Sequence, residues 1–214
     1  MRGGGGLVAG LPVPEIALRI LREPWDPAPL GALSRADFEH RCAGPDAPGE
    51  IVVHGGHVLT GYLGGRGDGD TKFRVDGEVW HRTGDAGYLD ATGRLWLLGR
   101  CSARVADGEG VLYPFAVECA AMHCAGVARA AFTSAAGRRL LLVEPMPGHA
   151  PDLAEVSGVL GWARLHEIRE YAAIPVDRRH NAKIDYTALP ALVGSRPQRH
   201  LTLSHDDGGQ RPPR

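Results

Sequence analysis

The sequence lacks the features that mark several common classes of protein. Its formal net charge is −1 and it contains no stripe of basic residues, which argues against a protein that binds nucleic acid by neutralising phosphates. No segment is apolar enough to span a bilayer, and the opening residues MRGGGGLVAG lack the long apolar core of a signal peptide. We therefore expect a globular protein with no transmembrane segment, and the sequence predicts a cytoplasmic location.

Cysteine is scarce as well. The four cysteines show no framework spacing, and the sequence predicts that they are reduced thiols: Cys42, Cys101, Cys119 and Cys124. The stretch CAAMHC places Cys119 and His123 on one face of a predicted helix, but a zinc ion would need further ligands. Small buried thiols on a core-facing helix are the better interpretation, and we predict no metal site.

Lysine is almost absent. The chain has 24 Lys and Arg residues, and only Lys72 and Lys183 are lysines. A lysine kept among so many arginines suggests a position that needs a compact, freely oriented ammonium rather than a flat guanidinium. Chance is the alternative for Lys183, since Lys72 lies in a Gly/Asp-rich loop with no evident role. Both interpretations remain open from composition alone.

Glycine and proline divide the chain into parts with different patterns. Residues 1–99 contain runs typical of strands, among them a hairpin with strands at 86–89 and 94–99 and Gly93 in its turn. Residues 24–50 predict a long surface loop. After residue 100 the pattern predicts a helix beginning near Pro114, two strands, a helix over 151–171 and a short final helix.

The predicted fold class is α+β. We expect a small, mostly-β unit at residues 1–99, a compact α+β unit at 100–193 and a disordered tail at 194–214, where little can be buried.

Two residues in the predicted hairpin are candidates for a binding site. Asp85 follows a glycine, so that its carboxylate could stand clear of the backbone and accept from two vicinal hydroxyls. Arg100 ends the second strand, where the hairpin brings it back towards Asp85. The alternatives are an ordinary Asx turn at Asp85 and a surface ion pair of little energetic value.

Three motifs in this order resemble the C-terminal portion of the adenylate-forming superfamily, which includes acyl-CoA synthetases, nonribosomal-peptide adenylation domains and firefly luciferase. They are GEIVVHGGHVLTGYL, HRTGDAGYLDATGRLWLLGR and HNAKIDYTAL. The resemblance covers about residues 7–192. Within the superfamily, PVDRRHNAKI and LWLLGR followed by Cys-Ser resemble the β-lactone synthetases of bacterial olefin biosynthesis. The resemblance implies that residues 1–99 form a barrel-like β subdomain of the large domain and that residues 100–193 form a mobile lid.

The resemblance also implies roles for four residues. Asp85 would hold the ribose hydroxyls of ATP and of the acyl-adenylate, and Arg100 would assist there. Lys183 would bridge the substrate carboxylate and the nucleotide oxygens. Ser102 occupies the hinge position, where the family often has Asp or Lys, so the energetics of the hinge differ from the usual pattern.

Two elements of the family pattern are missing. The phosphate loop with its lysine and the aromatic-Gly-Thr-Glu motif should precede residue 1, and GGGG at 3–6 replaces neither. ATP and magnesium would be bound mainly by that missing part. We therefore expect a C-terminal fragment that is inactive alone, or one whose N-terminal half is supplied by another chain.

The implied reaction joins a carboxylic acid to AMP at the expense of ATP. The predicted substrate is a fatty or 3-hydroxy fatty acid, with closure of a β-lactone. One alternative is a fragment of a fatty acyl-CoA synthetase. An alternative of another class is a non-catalytic remnant that binds a nucleotide or a partner chain.

Overall fold

A computed structural model describes residues 4–177 and 183–203 of the chain. The chain divides into two compact units, each described here by itself. The first unit comprises residues 5–104 together with 113–116, and the second comprises residues 105–112 and the chain from 117 onwards, with the first four residues. His180, Asn181 and Ala182 of the predicted lysine motif, and residues 204–214 of the predicted tail, lie outside the described residues.

The first unit is built on one curled sheet of seven strands. The strands are β1 (Leu7–Gly10), β2 (Ile16–Arg22), β3 (Ala32–Leu33), β4 (Gly49–Gly55), β5 (Lys72–Val75), β6 (Glu78–Leu89) and β7 (Leu95–Arg100). They run in the order β1-β7-β6-β4-β2, and β5 pairs with both β6 and β3. All pairs are antiparallel except β3 with β5.

A short helix within the predicted loop closes the core of this sheet. Helix α1 (Arg35–Arg41) begins after Ser34, whose hydroxyl accepts the backbone N–H of Asp37. Its Phe38 is fully buried and packs against Trp80 with the ring centroids 4.6 Å apart. The prediction of a structureless loop over 24–50 was therefore wrong at α1, because one aromatic residue without helical periodicity is enough to dock a two-turn helix.

The β6–β7 hairpin follows the sequence prediction closely. Asp90 Oδ1 accepts the backbone N–H groups of Thr92 and Arg94, and Gly93 has φ +80°, the left-handed conformation the turn requires. Hydrogen bonds from the Thr92 hydroxyl and Trp96 indole hold the pKa of Asp90 below its ordinary value. The turn fixes the register from Leu89 to Gly87, and a one-residue shift of the ladder between Ala86 and Gly87 then places Asp85 opposite Arg100.

The second unit is a four-stranded sheet covered by helices. Its elements are β8 (Val105–Asp107), β9 (Gly110–Leu112), α3 (Pro114–Ala121) from residue 117 onwards, β10 (Val127–Ala135), β11 (Arg138–Pro145), α4 (Leu153–Val159), β12 (Glu167–Glu170), α5 (Leu189–Val193) and β13 (Arg199–Thr202). The four strands run in the order β10-β11-β12-β13, with β11 and β12 parallel. Helix α2 (Asp68–Thr71) completes the chain order and belongs to the first unit.

Two stretches of the second unit depart from the predicted pattern. The helix expected over 151–171 ends at Val159, and Arg164 takes a left-handed conformation before β12 begins. A strand forms there because Ile168 is fully buried in the core and β12 pairs with β11. In the range assigned to the tail, β13 pairs with β12, and the Arg199 guanidinium is bonded to the buried Glu170.

No helix in the described parts of the chain is long and apolar enough to cross a membrane. All four cysteines are free thiols in the structure.

Candidate functional site

The first candidate site is the ion pair formed by Asp85 and Arg100 in the first unit. The two residues are direct partners in the β6–β7 ladder, and Arg100 Nε lies 3.2 Å from Asp85 Oδ1. Both side chains remain about half exposed, at 43% for Asp85 and 53% for Arg100. The carboxylate therefore has room to accept further hydrogen bonds while the guanidinium holds its orientation.

Thr83 and Gly84 shape the backbone beneath this pair. The Thr83 hydroxyl donates to the carbonyl of Ile51 and accepts the backbone N–H of Asp85, at 2.8 and 3.0 Å. Arg100 Nη1 donates to the carbonyl of Thr83. Gly84 has φ +69°, a left-handed conformation in which a side chain would be strained. The segment Thr83-Gly84-Asp85 thus holds the Asp85 carboxylate clear of the sheet.

A buried ion pair contacts the same irregular part of β6, and sequence reasoning missed it. Glu50 and Arg82 are 3% and 6% exposed, and Arg82 Nε donates to Glu50 Oε2 at 2.9 Å. Glu50 Oε1 accepts the backbone N–H of Gly84 at 3.2 Å, and Trp25 Nε1 donates to Glu50 Oε2. Arg82 lies two residues after the buried Trp80 on β6, so strand periodicity is the signal that could have revealed its inward position.

The position predicted for the hinge lies in the short 3₁₀ turn Cys101–Ala103. Ser102 is exposed, whereas Cys101 is fully buried, and burial raises the pKa of the Cys101 thiol to about 12. Arg104, just after the turn, lies over the Trp25 ring at 4.9 Å and places its Nε 3.7 Å from Glu23. The turn is therefore anchored on both sides of an exposed serine; a hinge role for Ser102 stays a prediction.

Lys183 lies in the second unit, on the surface. It precedes Ile184, which forms an isolated antiparallel bridge with Val176. The carbonyl of Lys183 accepts the backbone N–H of Asp177 at 2.9 Å. The side chain of Lys183 is exposed. The structure thus places Lys183 on the surface of the second unit; its catalytic role stays a prediction.

A second buried acidic residue, Glu118, is bonded to Tyr186, which lies three residues after Lys183. Glu118 of α3 is 4% exposed and accepts the Tyr186 hydroxyl, which lies 2.9 Å from both carboxylate oxygens. The backbone N–H of Phe132 on β10 also donates to it at 2.9 Å. Burial raises the pKa of Glu118 to about 7. Sequence reasoning missed this pair, because a Glu within the apolar run around α3 gives no sign of its partner.

A nucleotide with its metal ion requires acceptors for the ribose hydroxyls and a group of ligands for the metal. The Asp85 side chain is 43% exposed, and a carboxylate can accept from the two vicinal hydroxyls of a ribose. Among the residues that the structure describes, no group of three or more His, Cys, Asp or Glu side chains is placed to hold a metal ion. The described residues therefore fit the sugar of ATP but offer no magnesium cage.

No protein-family model matches the chain. An olefin β-lactone synthetase from Stenotrophomonas maltophilia is 37% identical over 198 residues, covering 85% of this chain and 35% of the relative. One from Xanthomonas campestris is 40% identical over 119 residues, covering 50% of this chain and 21% of the relative. A 2-succinylbenzoate–CoA ligase from Enterococcus faecalis is 40% identical over 83 residues, covering 39% and 16%. The chain thus spans about a third or less of each relative.

Solved structures show the same fold at lower sequence identity. The amide bond synthetase McbA from Marinactinospora thermotolerans matches with TM-score 0.66 and 19% identity, over 87% of this chain and 36% of the other. O-succinylbenzoate coenzyme A synthetase from Bacillus subtilis, in complex with AMP, matches with TM-score 0.62 and 22% identity, over 81% and 33%.

The chain, with its curled sheet and its four-stranded unit, shares the fold of about a third of each of these enzymes. Relatives named as olefin β-lactone synthetases and CoA ligases agree with the structural neighbours. The chain fits the C-terminal portion of the adenylate-forming superfamily. Members of this superfamily are ligases that use ATP and magnesium.

Proposed function

We propose that this chain is the C-terminal part of an ATP-dependent carboxylic acid–AMP ligase. The observation that carries the proposal is the half-exposed Asp85 carboxylate, held by Arg100 at 3.2 Å and supported from below by the buried Glu50. Such a carboxylate is oriented before any ligand arrives, so little side-chain entropy is lost when it accepts the two hydroxyls of a ribose.

In the proposed reaction, a carboxylate oxygen of the acid attacks the α-phosphorus of ATP. The bond to pyrophosphate breaks, and acyl-AMP and pyrophosphate are formed. Asp85 and Arg100 hold the ribose, and Lys183 donates to the oxygens that gain negative charge during the attack. An ammonium with three donors suits this task, because electrostatic stabilisation of developing charge is a large catalytic term.

For the second step we propose ring closure on a 3-hydroxy fatty acid. The 3-hydroxyl oxygen attacks the acyl carbonyl, the hydroxyl proton leaves, and AMP departs with the bonding electrons to give a β-lactone. The supporting observation is the 37% identity with a protein named olefin β-lactone synthetase. Capture of the acyl group by coenzyme A thiol is the alternative, and it is favoured by relatives named CoA ligases.

The remaining machinery would come from outside this chain. The chain covers 35% of the length of the first relative, so we propose that the phosphate loop and acyl pocket lie in a preceding segment or in a partner chain. Apolar side chains that are exposed in the first unit support such a contact: Leu7, Val8, Leu11 and Val13. The mass of the native protein, measured in its source cells by antibody blotting, separates a preceding segment from a partner.

A non-catalytic nucleotide-binding module is the competing proposal of another class. The nucleotide site is tested first on this chain, by titrating AMP and 2′,3′-dideoxy-AMP while observing the amide resonances of residues 83–86 and 100 by NMR. We expect shifts with AMP, weaker shifts with the dideoxy compound, and loss of that difference in Asp85→Asn. Equal binding of the two nucleotides would overturn the assignment of Asp85.

Catalysis is tested on the native protein with its preceding segment or partner, supplied with a 3-hydroxy fatty acid, ATP and magnesium. A β-lactone formed without coenzyme A supports ring closure, whereas a thioester formed only with coenzyme A supports the alternative. If Lys183→Ala left the rate unchanged, the catalytic role of Lys183 would be withdrawn. If the complete wild-type protein formed neither product, the non-catalytic module would be favoured.

A further inference from the structure

The chain around Lys183 is fixed to the second unit on both sides, and we call residues 183–188 the lysine segment. Two contacts with residues that precede it hold its first residues. Ile184 forms an isolated bridge with Val176, and Asp185 N donates to the carbonyl of Pro175. After it, a turn capped by Asp185 leads into α5. The exposed lysine is therefore placed by a short, defined piece of backbone.

Tyr186 is the side chain of the lysine segment that reaches a buried polar group. Its hydroxyl lies 2.9 Å from each carboxylate oxygen of Glu118 on α3. Phe132 N on β10 donates to the same carboxylate. Three elements that are distant in sequence thus meet at one carboxylate, with Tyr186 three residues from Lys183.

The surroundings of Glu118 make this contact sensitive to charge. The groups that face it in the described structure are the Tyr186 hydroxyl, the Phe132 N–H and the neighbouring Cys119 thiol, none of which is a cation. An ionised carboxylate accepts from both donors. A protonated one gains a donor of its own on one oxygen, which competes with the Tyr186 hydroxyl.

We propose that Glu118 is a positioning residue that sets the placement of Lys183 through Tyr186. The catalytic part of this statement rests on the proposed function, whereas the mechanical coupling between the two residues does not. Neutralising Glu118 rearranges its hydrogen bonds to Tyr186, and the lysine segment shifts with the tyrosine. The activity of Lys183 is thereby tied to the protonation state of a side chain that touches no substrate.

The coupling can be measured on the whole chain without any ligand, because the chain has only two lysines. Labelling with ¹⁵N-lysine gives two backbone resonances, from Lys183 in the second unit and Lys72 in the first as the internal control. We expect the Lys183 resonance to move with a midpoint near pH 7, the value to which burial raises the pKa of Glu118. Lys72 should follow a different profile.

Two variants decide whether Glu118 is the cause. In Glu118→Gln the part of the pH-dependent shift of the Lys183 resonance that is caused by Glu118 should disappear. Any part that is caused by histidines should persist. In Tyr186→Phe the fold should persist, since the ring remains, and the Lys183 response should fall at least several-fold. A wild-type Lys183 resonance that ignores pH near 7, or an undiminished response in either variant, overturns the proposal. If Glu118→Gln does not fold, the wild-type titration and Tyr186→Phe still decide it.

Turnover then separates this inference from the proposed function. In the complete ligase, Glu118→Gln should lower kcat for acyl-adenylate formation several-fold and leave the KM for ATP unchanged. If the complete wild-type protein forms no acyl-adenylate, the proposed function fails while the NMR coupling stands; if Lys183→Ala has no effect on turnover, only the catalytic role of Lys183 fails. If Lys183→Ala removes turnover but Glu118→Gln changes neither kcat nor the resonance, the positioning role fails alone.

Discussion

Substitutions in the buried pair of Glu50 and Arg82 test what stabilises the segment Thr83-Gly84-Asp85. Arg82→Met keeps the length of the side chain and removes the guanidinium, which donates to Glu50 and to the carbonyls of Asp26 and Ala28. Glu50 would then remain a carboxylate at 3% exposure with no cation beside it. Breaking one side of a buried pair costs about 3–5 kcal/mol.

That cost is a large part of the stability of a domain, which is roughly 5–15 kcal/mol. The matched control is Arg100→Met, which breaks the half-exposed pair with Asp85 and should cost less than about 1 kcal/mol. Glu50→Gln keeps one acceptor oxygen for the two donors Trp25 and Gly84 and leaves Arg82 with an uncompensated buried charge, so it should also destabilise strongly.

The assay is urea unfolding followed by tryptophan fluorescence. Trp162 lies in the second unit, so a Trp162→Phe background restricts the signal to the first unit, which contains Trp25, Trp80 and Trp96. The expected result is a much lower unfolding midpoint for Arg82→Met than for Arg100→Met. Equal unfolding midpoints for Arg82→Met and Arg100→Met would refute the view that the buried pair stabilises the segment Thr83-Gly84-Asp85.

Three further predictions concern stability. The pKa of Glu118 is raised to about 7 in the folded state, so the folded state binds the proton more tightly than the unfolded state does. About 3 kcal/mol of folding stability should therefore be lost as pH rises from 4.5 through 7. Denaturant unfolding at a series of pH values should show this loss in wild type and not in Glu118→Gln. The lowered pKa of Asp90 has the opposite effect: the stability it adds is present above the unfolded pKa and is lost as pH falls. Asp90→Ala should therefore be less stable at neutral pH, and its stability should depend less on pH during acid unfolding. Identical acid midpoints in wild type and Asp90→Ala would count against this. Phe38→Ala should cost about 3–5 kcal/mol, measured by the fluorescence assay above, and a loss under 1 kcal/mol would show that α1 is not part of the core.

Elements specified by local chemistry could be predicted from the sequence. The hairpin turn needs only an Asp at 90 to accept backbone N–H groups and a Gly at 93 with positive φ, and both lie within a few residues of each other. That turn starts the β6–β7 ladder, and a one-residue register shift between Ala86 and Gly87 puts Asp85 opposite Arg100. The predicted meeting of these two side chains is confirmed by the 3.2 Å ion pair, while their roles towards a nucleotide stay predictions.

Elements that depend on a distant partner were not predictable in the same way. Helix α1 has little helical periodicity, and it is stable because Phe38 docks against Trp80, a residue of a strand far along the chain. Strand β12 lies in a stretch with helix-like composition, and parallel pairing with β11 overrides that local preference.

Three features can be read from local sequence: the order and spacing of the motifs, the hairpin that contains Asp85 and Arg100, and the rarity of lysine that singles out Lys183. Tertiary packing sets which acidic residues are buried and which groups they bind. Glu50 meets Arg82 across 32 residues, and Glu118 meets Tyr186 across 68. The physical reason is that a carboxylate is stable in a core only with hydrogen-bond partners, and those partners are chosen by how strands and helices pack, which no local pattern records.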